Sequence, residues 1–381
     1  MNSNPNGRLA VYANSMGQFY GKKVFAELSE LVREDTEKKR TEHDLLLQRW
    51  PDHLRQAMEH VMEHEYETPP EFVSPKLDEF PDTNQRPVIE DLVRGQDAYL
   101  VQWLITPPGA SGEERYRCSA DRLAFEFFKT IDALRHAGIK RLSLVTPYAY
   151  DSRKDIREGR DAIGSLTFCK ALDGIIRGER MQAFCLDLHA QQIEGFYQAY
   201  NINMDSVPMF DVFVDHIESY YPALPKNAVV LAPDLGSTKR ARNLSERLGA
   251  PVVIIDKRRV SPTKIIIEAL AAGGVDPKGK KILLFDDVLA SGGTAIEGTE
   301  YLQRERGAGE AYWFMTHPSM TNMHKLDSAY ERGVFKRIFT ADTVPLPDRE
   351  YLEQVNTSRK IAQLIWNIHT DKSVGPYLDT K

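Results

Sequence analysis

The chain has few cysteines and no long apolar run. Its 381 residues include three cysteines, Cys118, Cys169 and Cys185, which is an odd number without C-x-x-C spacing. Such thiols fit buried positions in a reducing compartment better than disulfides or a zinc knuckle. No apolar run reaches the ~18 residues that a membrane span needs, and the N-terminal MNSNPNGR is polar with no apolar segment behind it. We therefore expect a cytoplasmic protein without a membrane partner.

The chain also lacks an excess of positive charge and two common nucleotide-binding loops. The formal net charge is −6, which gives no electrostatic footprint for a nucleic acid. No G-x-x-x-x-G-K-[ST] sequence occurs, and no G-x-G-x-x-G follows a predicted strand. A P-loop kinase and a dinucleotide-dependent dehydrogenase would therefore both lack their defining loop.

What the chain does contain is a regular alternation of short aliphatic runs and helical periods. From about residue 97 onward, segments such as RLSLVTPY and AFCLDLH alternate with amphipathic stretches such as SADRLAFEFFKTIDALRHAG. This alternation predicts parallel sheets covered by helices, with ligand loops at the carboxyl ends of the strands. We predict two doubly wound α/β domains, 1–206 and 207–381.

Residues 28–79 interrupt the alternation. The segment is highly charged, has a helical period and ends in the proline-rich TPPEFVSPKLDEFP, so we predict a helical insertion followed by a linker. It contains the H-x-x-E-H sequence His60, Glu63 and His64, a pattern that can bind zinc in peptidases. We favour a solvated helix face, because further glutamates surround the motif and no third ligand is marked.

The stretch KILLFDDVLASGGTA at 281–295 combines two kinds of ligand group. An apolar strand ends in Asp286 and Asp287, and a turn of small residues leads into a helix. The backbone N–H groups of Ser291, Gly292, Gly293 and Thr294 can bind a phosphate, while the two carboxylates suit hydroxyl groups or magnesium. The loop therefore fits a ribose 5-phosphate group. The alternative is an ordinary strand-to-helix turn in which one aspartate caps the helix.

These motifs resemble a known family. DDVLASGGT looks like the phosphoribosyl-diphosphate (PRPP) loop of type I phosphoribosyltransferases and of ribose-phosphate diphosphokinases, the PRPP synthetases. The synthetases are favoured by further segments in the family's order, which match all of the chain except the insertion: FPDTN at 80–84, VTPYAYDSRKD at 145–155, CLDLHAQQIEGFY at 185–197, VVLAPDLGSTKRAR at 229–242, VVIIDKRR at 252–259 and SVGPYLD at 373–379. The resemblance implies two phosphoribosyltransferase-like domains.

The resemblance also implies a reaction for nucleotide biosynthesis. The 1-hydroxyl of ribose 5-phosphate attacks the β-phosphorus of Mg-ATP, and the products are PRPP and AMP. Lys257 and Arg259 resemble the family's catalytic pair, in a run that could otherwise be a solvated charge cluster. The positions that match its Mg²⁺-binding residues are Asp187, His189 and Asp234.

For ATP, Arg153 and Lys154 resemble the family's adenine- and phosphate-contacting pair. Phe80, Asp82 and Asn84 resemble a loop that a neighbouring subunit contributes, which implies a homo-oligomer built from dimers, commonly a hexamer. Several positions depart from the family pattern, among them Asn84, where glutamate is usual, Lys154, where glutamine is usual, and Ala290, where the synthetases often have aspartate.

Two other functions stay open. A type I phosphoribosyltransferase would consume PRPP with the same glycine loop, but it has no use for the DLHAQQ segment or a second domain. A non-catalytic relative that assembles with true synthetases would be favoured by the loss of Lys257 and Arg259, and both residues are present.

Overall fold

The computed structural model describes residues 4–63, 66–261, 264–271 and 274–378. Side chains are described throughout these ranges except at positions 52, 57, 60, 61, 63 and 256–271. Within the described part of the chain, no helix has the length and apolar character that crossing a membrane requires.

The first sheet has six strands, all parallel. Its inner strands are apolar along most of their length because helices cover both faces. In spatial order the strands are β2 (Glu71–Val73), β1 (Arg8–Ala13), β5 (Gln96–Val101), β6 (Arg141–Val145), β7 (Met181–Leu186) and β8 (Ile202–Val207).

The second sheet has seven strands. Only its edge strand runs antiparallel to its neighbour. In spatial order the strands are β11 (Lys264–Ala271), β10 (Val252–Ser261), β9 (Ala228–Ala232), β12 (Lys281–Leu289), β13 (Ala311–Pro318), β14 (Arg337–Ala341) and β15 (Leu352–Val355). A separate antiparallel hairpin is formed by β3 (Lys76–Glu79) and β4 (Gln85–Val88).

Helices connect the strands of both sheets. For example, the segment that begins at Ser119 forms a helix whose predicted apolar face, including Leu123 and Phe127, is buried. The helices are α1 (Gln18–Leu47), α2 (Asp52–Glu63), α3 (Gly112–Arg117), α4 (Ala120–His136), α5 (Gly164–Ile176), α6 (Gln192–Gln198), α7 (Phe210–Tyr220), α8 (Thr238–Leu248), α9 (Gly293–Arg306), α10 (Met323–Glu331), α11 (Ser358–His369) and α12 (Gly375–Leu378). The predicted α/β architecture with parallel sheets is confirmed.

The segment 28–79 is only partly as predicted. The helical part is present as the second half of α1 and as α2. The proline-rich part is not a linker, because β2 adds a parallel edge strand to the first sheet and β3 begins the hairpin. Pro70 and Pro75 flank β2 rather than lying within it, and an edge strand tolerates proline at such positions. The zinc-binding interpretation of the H-x-x-E-H motif lies outside the described residues, because His64 and the side chains of His60 and Glu63 are not described.

The two sheets share a hydrophobic core. The last strand of the first sheet ends at Val207, and the second sheet begins at Ala228, with α7 between them. Phe213 of α7 packs against Phe285 of β12, and α11 packs along α1. The domain boundary at 206–207 stays a prediction.

Candidate functional site

The acidic pair and the glycine turn lie in one cavity with residues from the first sheet. The cavity has a volume of about 530 Å³. β12 runs parallel between β9 and β13, so the loops at the carboxyl ends of these strands meet at one edge of the sheet. The lining residues from this edge include Asp234, Arg240, Asp286, Asp287 and the turn 291–294, and the first sheet's loops add Arg153 and His189.

Arg240 and His189 hold the two carboxylates. Nη2 of Arg240 lies 2.7 Å from Oδ1 of Asp286 and 2.8 Å from Oδ1 of Asp287. Nδ1 of His189 lies 2.6 Å from the other oxygen of Asp287. The carboxylate of Asp287 is therefore bonded on both sides by groups that carry or can carry positive charge.

The environment pushes the pKa values of the two aspartates apart. Burial, and then the neighbouring charge of Asp287, raise the pKa of Asp286 above its ordinary value, although Arg240 opposes this. Burial alone would raise the pKa of Asp287 as well, but His189 and Arg240 lower it below its ordinary value. The hydrogen bond with Asp287 raises the pKa of His189, against the effect of burial. One carboxylate of the pair thus stays ionised while its neighbour accepts a proton more easily.

The glycine turn leads directly into α9. Gly292 precedes α9 with φ 72° in the left-handed region, and no side chain in the described part of the chain caps this helix. The first N–H groups of α9 are thus left for a ligand. Asp286 and Asp287 bond to Arg240 and His189 instead, which argues against the alternative of an ordinary aspartate-capped turn.

Gly292→Ala is expected to lower the free energy of unfolding by about 2 kcal/mol or more. A Cβ atom at this position would lie 2.7 Å from Cδ2 of Leu326, and the left-handed φ adds strain. The measurement is urea unfolding of the wild type, Gly292→Ala and the double variant with Leu326→Ala. The double variant should lose less free energy of unfolding than the sum of the losses in Gly292→Ala and Leu326→Ala, because removing the Leu326 side chain relieves the clash.

A matched control is Gly174→Ala within α5, where φ is ordinary and a Cβ would meet nothing within 4 Å. This control should be neutral or slightly stabilising. Equal effects at the two glycines would contradict the role assigned to Gly292.

The three predicted metal ligands do not converge. His189 and Asp234 line the cavity, but Asp187 is not among its lining residues. The carboxylate of Asp187 accepts hydrogen bonds from the backbone N–H of Met209 and from the hydroxyl of Thr316. Each oxygen of Asp187 thus accepts one hydrogen bond and keeps a further lone pair, and its role as a metal ligand stays a prediction. In the described ranges, no group of three or more His, Cys, Asp or Glu side chains is arranged to hold a metal ion.

The predicted ATP residues divide into two groups. Arg153 lines both the first cavity and an adjoining cavity of about 830 Å³. Lys154 lines the second cavity and pairs with Asp161. This larger cavity also receives Tyr148 and the segment 319–324, so it lies between the two sheets.

Phe80, Asp82 and Asn84 lie elsewhere, in the turn of the β3–β4 hairpin. The N–H of Phe80 donates to the carbonyl of Asn84 at 3.0 Å, and the side chain of Asn84 donates to Asp82 at 2.8 Å. The ring of Phe80 is 49% exposed. None of the three is among the described residues that line the two cavities above.

The predicted catalytic pair lies on the β10–β11 ribbon. β10 pairs with β9 only from Val252 to Ile254 and then continues as an antiparallel ribbon with β11. Lys257 faces position 267 and Arg259 faces position 265 in the backbone register. Their side chains lie outside what the structure describes, so their roles stay predictions.

Comparisons with known proteins identify the family of this chain. Residues 57–174 match the family model described as the N-terminal domain of ribose phosphate pyrophosphokinase, and residues 214–338 match the phosphoribosyl transferase domain. The ribose-phosphate pyrophosphokinase of Nostoc sp. is 31% identical over 294 residues, which cover 75% of this chain and 80% of that protein. The chain belongs to the ribose-phosphate pyrophosphokinase family.

Other family members are similarly related. The ribose-phosphate pyrophosphokinase of Bacillus subtilis is 29% identical over 301 residues, which cover 75% of this chain and 83% of that protein. The crystal structure of phosphoribosylpyrophosphate synthetase from Mycobacterium smegmatis aligns with 96% of this chain and 99% of that chain, with a TM-score of 0.71 and 19% identity. This structural likeness supports the two-sheet fold.

Within this ribose-phosphate pyrophosphokinase site, sequence reasoning missed Arg240. Arg240 lies in the segment VVLAPDLGSTKRAR, which resembles a family motif, so the sequence could have indicated a role for it in the site. Its partners could not be named, because the contact with Asp286 spans 46 residues. The structure adds it to the site as the cation that balances the acidic pair.

Proposed function

We propose that this ribose-phosphate pyrophosphokinase transfers the diphosphoryl group of Mg-ATP to the 1-hydroxyl of ribose 5-phosphate, producing PRPP and AMP. The observation that carries the proposal is the pairing of two adjoining cavities that share Arg153. One holds an acidic pair beside a phosphate-binding turn, and the other has a volume in the range of nucleotide pockets. A two-substrate transfer requires such an arrangement.

In the smaller cavity, the carboxylates of Asp286 and Asp287 accept hydrogen bonds from the 2- and 3-hydroxyls of the ribose. The 5-phosphate binds the N–H groups of residues 291–294 at the start of α9. Because Arg240 and His189 hold the carboxylates in fixed positions, the sugar meets a preorganised site.

In the larger cavity, Arg153 and Lys154 contact the ATP. Arg153 faces both cavities, so it suits the phosphates that pass between the two substrates. Phe80, Asp82 and Asn84 stack on and hydrogen-bond the adenine of a neighbouring subunit. This role requires a homo-oligomer, and we propose a hexamer built from dimers, as the sequence resemblance implies.

Magnesium fits the site as an ion bound jointly by protein and substrate. Mg²⁺ usually keeps only one or two carboxylates and takes its other ligands from phosphates and water. Asp234 and His189 line the cavity and would contact the ion or its water shell, and the ion would neutralise phosphate charge. Lys257 and Arg259 supply further positive charge to the transferred group, since phosphoryl-type transfer depends chiefly on positioning and charge neutralisation. We also propose a cytoplasmic location, which suits the three free cysteines.

The test is a phosphorus NMR time course of the purified protein with ribose 5-phosphate, ATP and Mg²⁺. AMP that appears in step with a sugar diphosphate supports the proposal. Consumption of added PRPP with a purine or pyrimidine base, without AMP formation from ATP, would favour a phosphoribosyltransferase. If the protein turns over neither mixture but changes the rate of an active family member, it is a regulatory subunit and the proposal fails.

A further inference from the structure

A lysine outside the glycine turn lies against it. A Cβ atom built on Gly293 would be 3.1 Å from Nζ of Lys325 and 3.6 Å from Oγ of Ser291. The open side of Gly293 is therefore flanked by an ammonium group and a hydroxyl. These two groups flank the turn to which the proposed function assigns the sugar phosphate.

The start of α10 is fixed to the turn by several contacts. The backbone N–H of Met320 donates to the carbonyl of Leu289 at 2.7 Å, and that of Thr321 donates to Ala290 at 3.1 Å. Asn322 caps α10 by accepting from the N–H of Lys325 at 3.0 Å. Lys325 therefore belongs to a segment whose backbone is held against the turn.

Lys325 is an exposed residue. Among the described residues its ammonium group makes no ion pair or hydrogen bond, while its backbone N–H donates to Asn322. The nearby carboxylates of Asp286 and Asp287 are already balanced by Arg240 and His189. A dianionic phosphate on the turn would therefore meet one unpaired cation, and a lysine ammonium binds phosphate as a point charge.

We propose that Lys325 binds the terminal phosphate of the sugar substrate and makes the site selective for sugars that carry a phosphomonoester. The inference rests on the proposed function, because it assigns the glycine turn to the sugar phosphate. It adds a phosphate contact from Lys325 of α10 to those that the N–H groups at the start of α9 would make. The same segment reaches the larger cavity through Asn322, Met323 and His324, so the test must separate the sugar phosphate from the nucleotide.

The experiment is titration calorimetry with ribose 5-phosphate, inorganic phosphate and ATP. The variants are Lys325→Met, which keeps the side-chain length without charge, and Lys325→Arg, which keeps the charge. The matched control is Lys336→Met, since Lys336 is an exposed lysine of the same domain with its side chain 61% exposed. Lys325→Met should lower the affinity for ribose 5-phosphate and for inorganic phosphate about 10- to 100-fold. Lys325→Arg should restore most of the affinity, and ATP binding should change in neither variant.

The outcomes separate this inference from the proposed function. Unchanged phosphate affinity in Lys325→Met, or a loss of ATP affinity instead, overturns the role of Lys325 and leaves the reaction untouched. If the wild type forms no AMP but its phosphate affinity still depends on Lys325, the proposed reaction fails and the phosphate contact stands. A wild type that binds neither inorganic phosphate nor ribose 5-phosphate overturns both.

Discussion

Lys257→Ala is expected to lower the rate of AMP formation about 1,000-fold or more, because cations that stabilise the charge of a transferred phosphoryl group have effects of this size. The residue lies where β10 no longer pairs with β9 and continues as an antiparallel ribbon with β11. The acidic pair lies on β12 and the glycine turn leads into α9, so the substitution changes no residue of either. The fold and the binding of ribose 5-phosphate should therefore be retained.

The rate is best measured by coupled AMP detection under saturating substrates, together with ribose 5-phosphate affinity by calorimetry. Lys264→Ala is a suitable control, since this lysine lies on the partner strand of the same ribbon. Arg259→Ala should show a loss comparable to that of Lys257→Ala. Wild-type turnover in Lys257→Ala would remove the catalytic assignment and favour the reading of the basic run as a solvated cluster.

Arg240→Met is expected to lower the free energy of unfolding by about 3 kcal/mol at pH 8, because it leaves two neighbouring carboxylates, the buried Asp287 and the half-buried Asp286, without their shared cation. The side chain of Asp287 is only 3% exposed, so water compensates poorly. The loss should shrink as the pH falls towards 5. The pKa of Asp286 is already raised, and a protonated Asp286 no longer repels Asp287.

Urea unfolding at several pH values measures this effect. Arg242→Met on the same helix is the matched control, since Arg242 is exposed and its substitution should be close to neutral. Adding Asp286→Asn to Arg240→Met should recover much of the lost stability at pH 8. An equal loss at pH 5 and pH 8, with no recovery in the double variant, would show that packing rather than charge explains the effect.

Much of the fold was predictable because its signals are local. The period of SADRLAFEFFKTIDALRHAG predicted α4, and the apolar run before Asp286 predicted β12. Parallel strands buried on both faces produce such uninterrupted apolar runs. The family's motifs, in their order along the chain, then indicated the function and most of the residues that line the cavity.

One prediction failed where a tertiary contact overrode a local signal, and one contact had no local signal. Prolines at 70 and 75 suggested a linker, yet the three residues of β2 between them add an edge strand to the first sheet. The metal role of Asp187 stays a prediction, and the structure adds that its oxygens accept hydrogen bonds from Met209 and Thr316. Thr316 lies 129 residues further along the chain, so no local pattern could reveal this pairing.

The amino-acid sequence alone determined the alternation of strands and helices, the placement of the acidic pair before a glycine turn, and the family. These depend on periodicity and on residues that are neighbours along the chain. Only the tertiary structure decided which charges meet. His189 reaches Asp287 across 98 residues, and Arg240 reaches Asp286 across 46. Lys325 likewise approaches Gly293 only because α10 is bound to the turn. Such contacts depend on how the sheets and helices pack, and this packing sets the charge balance of the site.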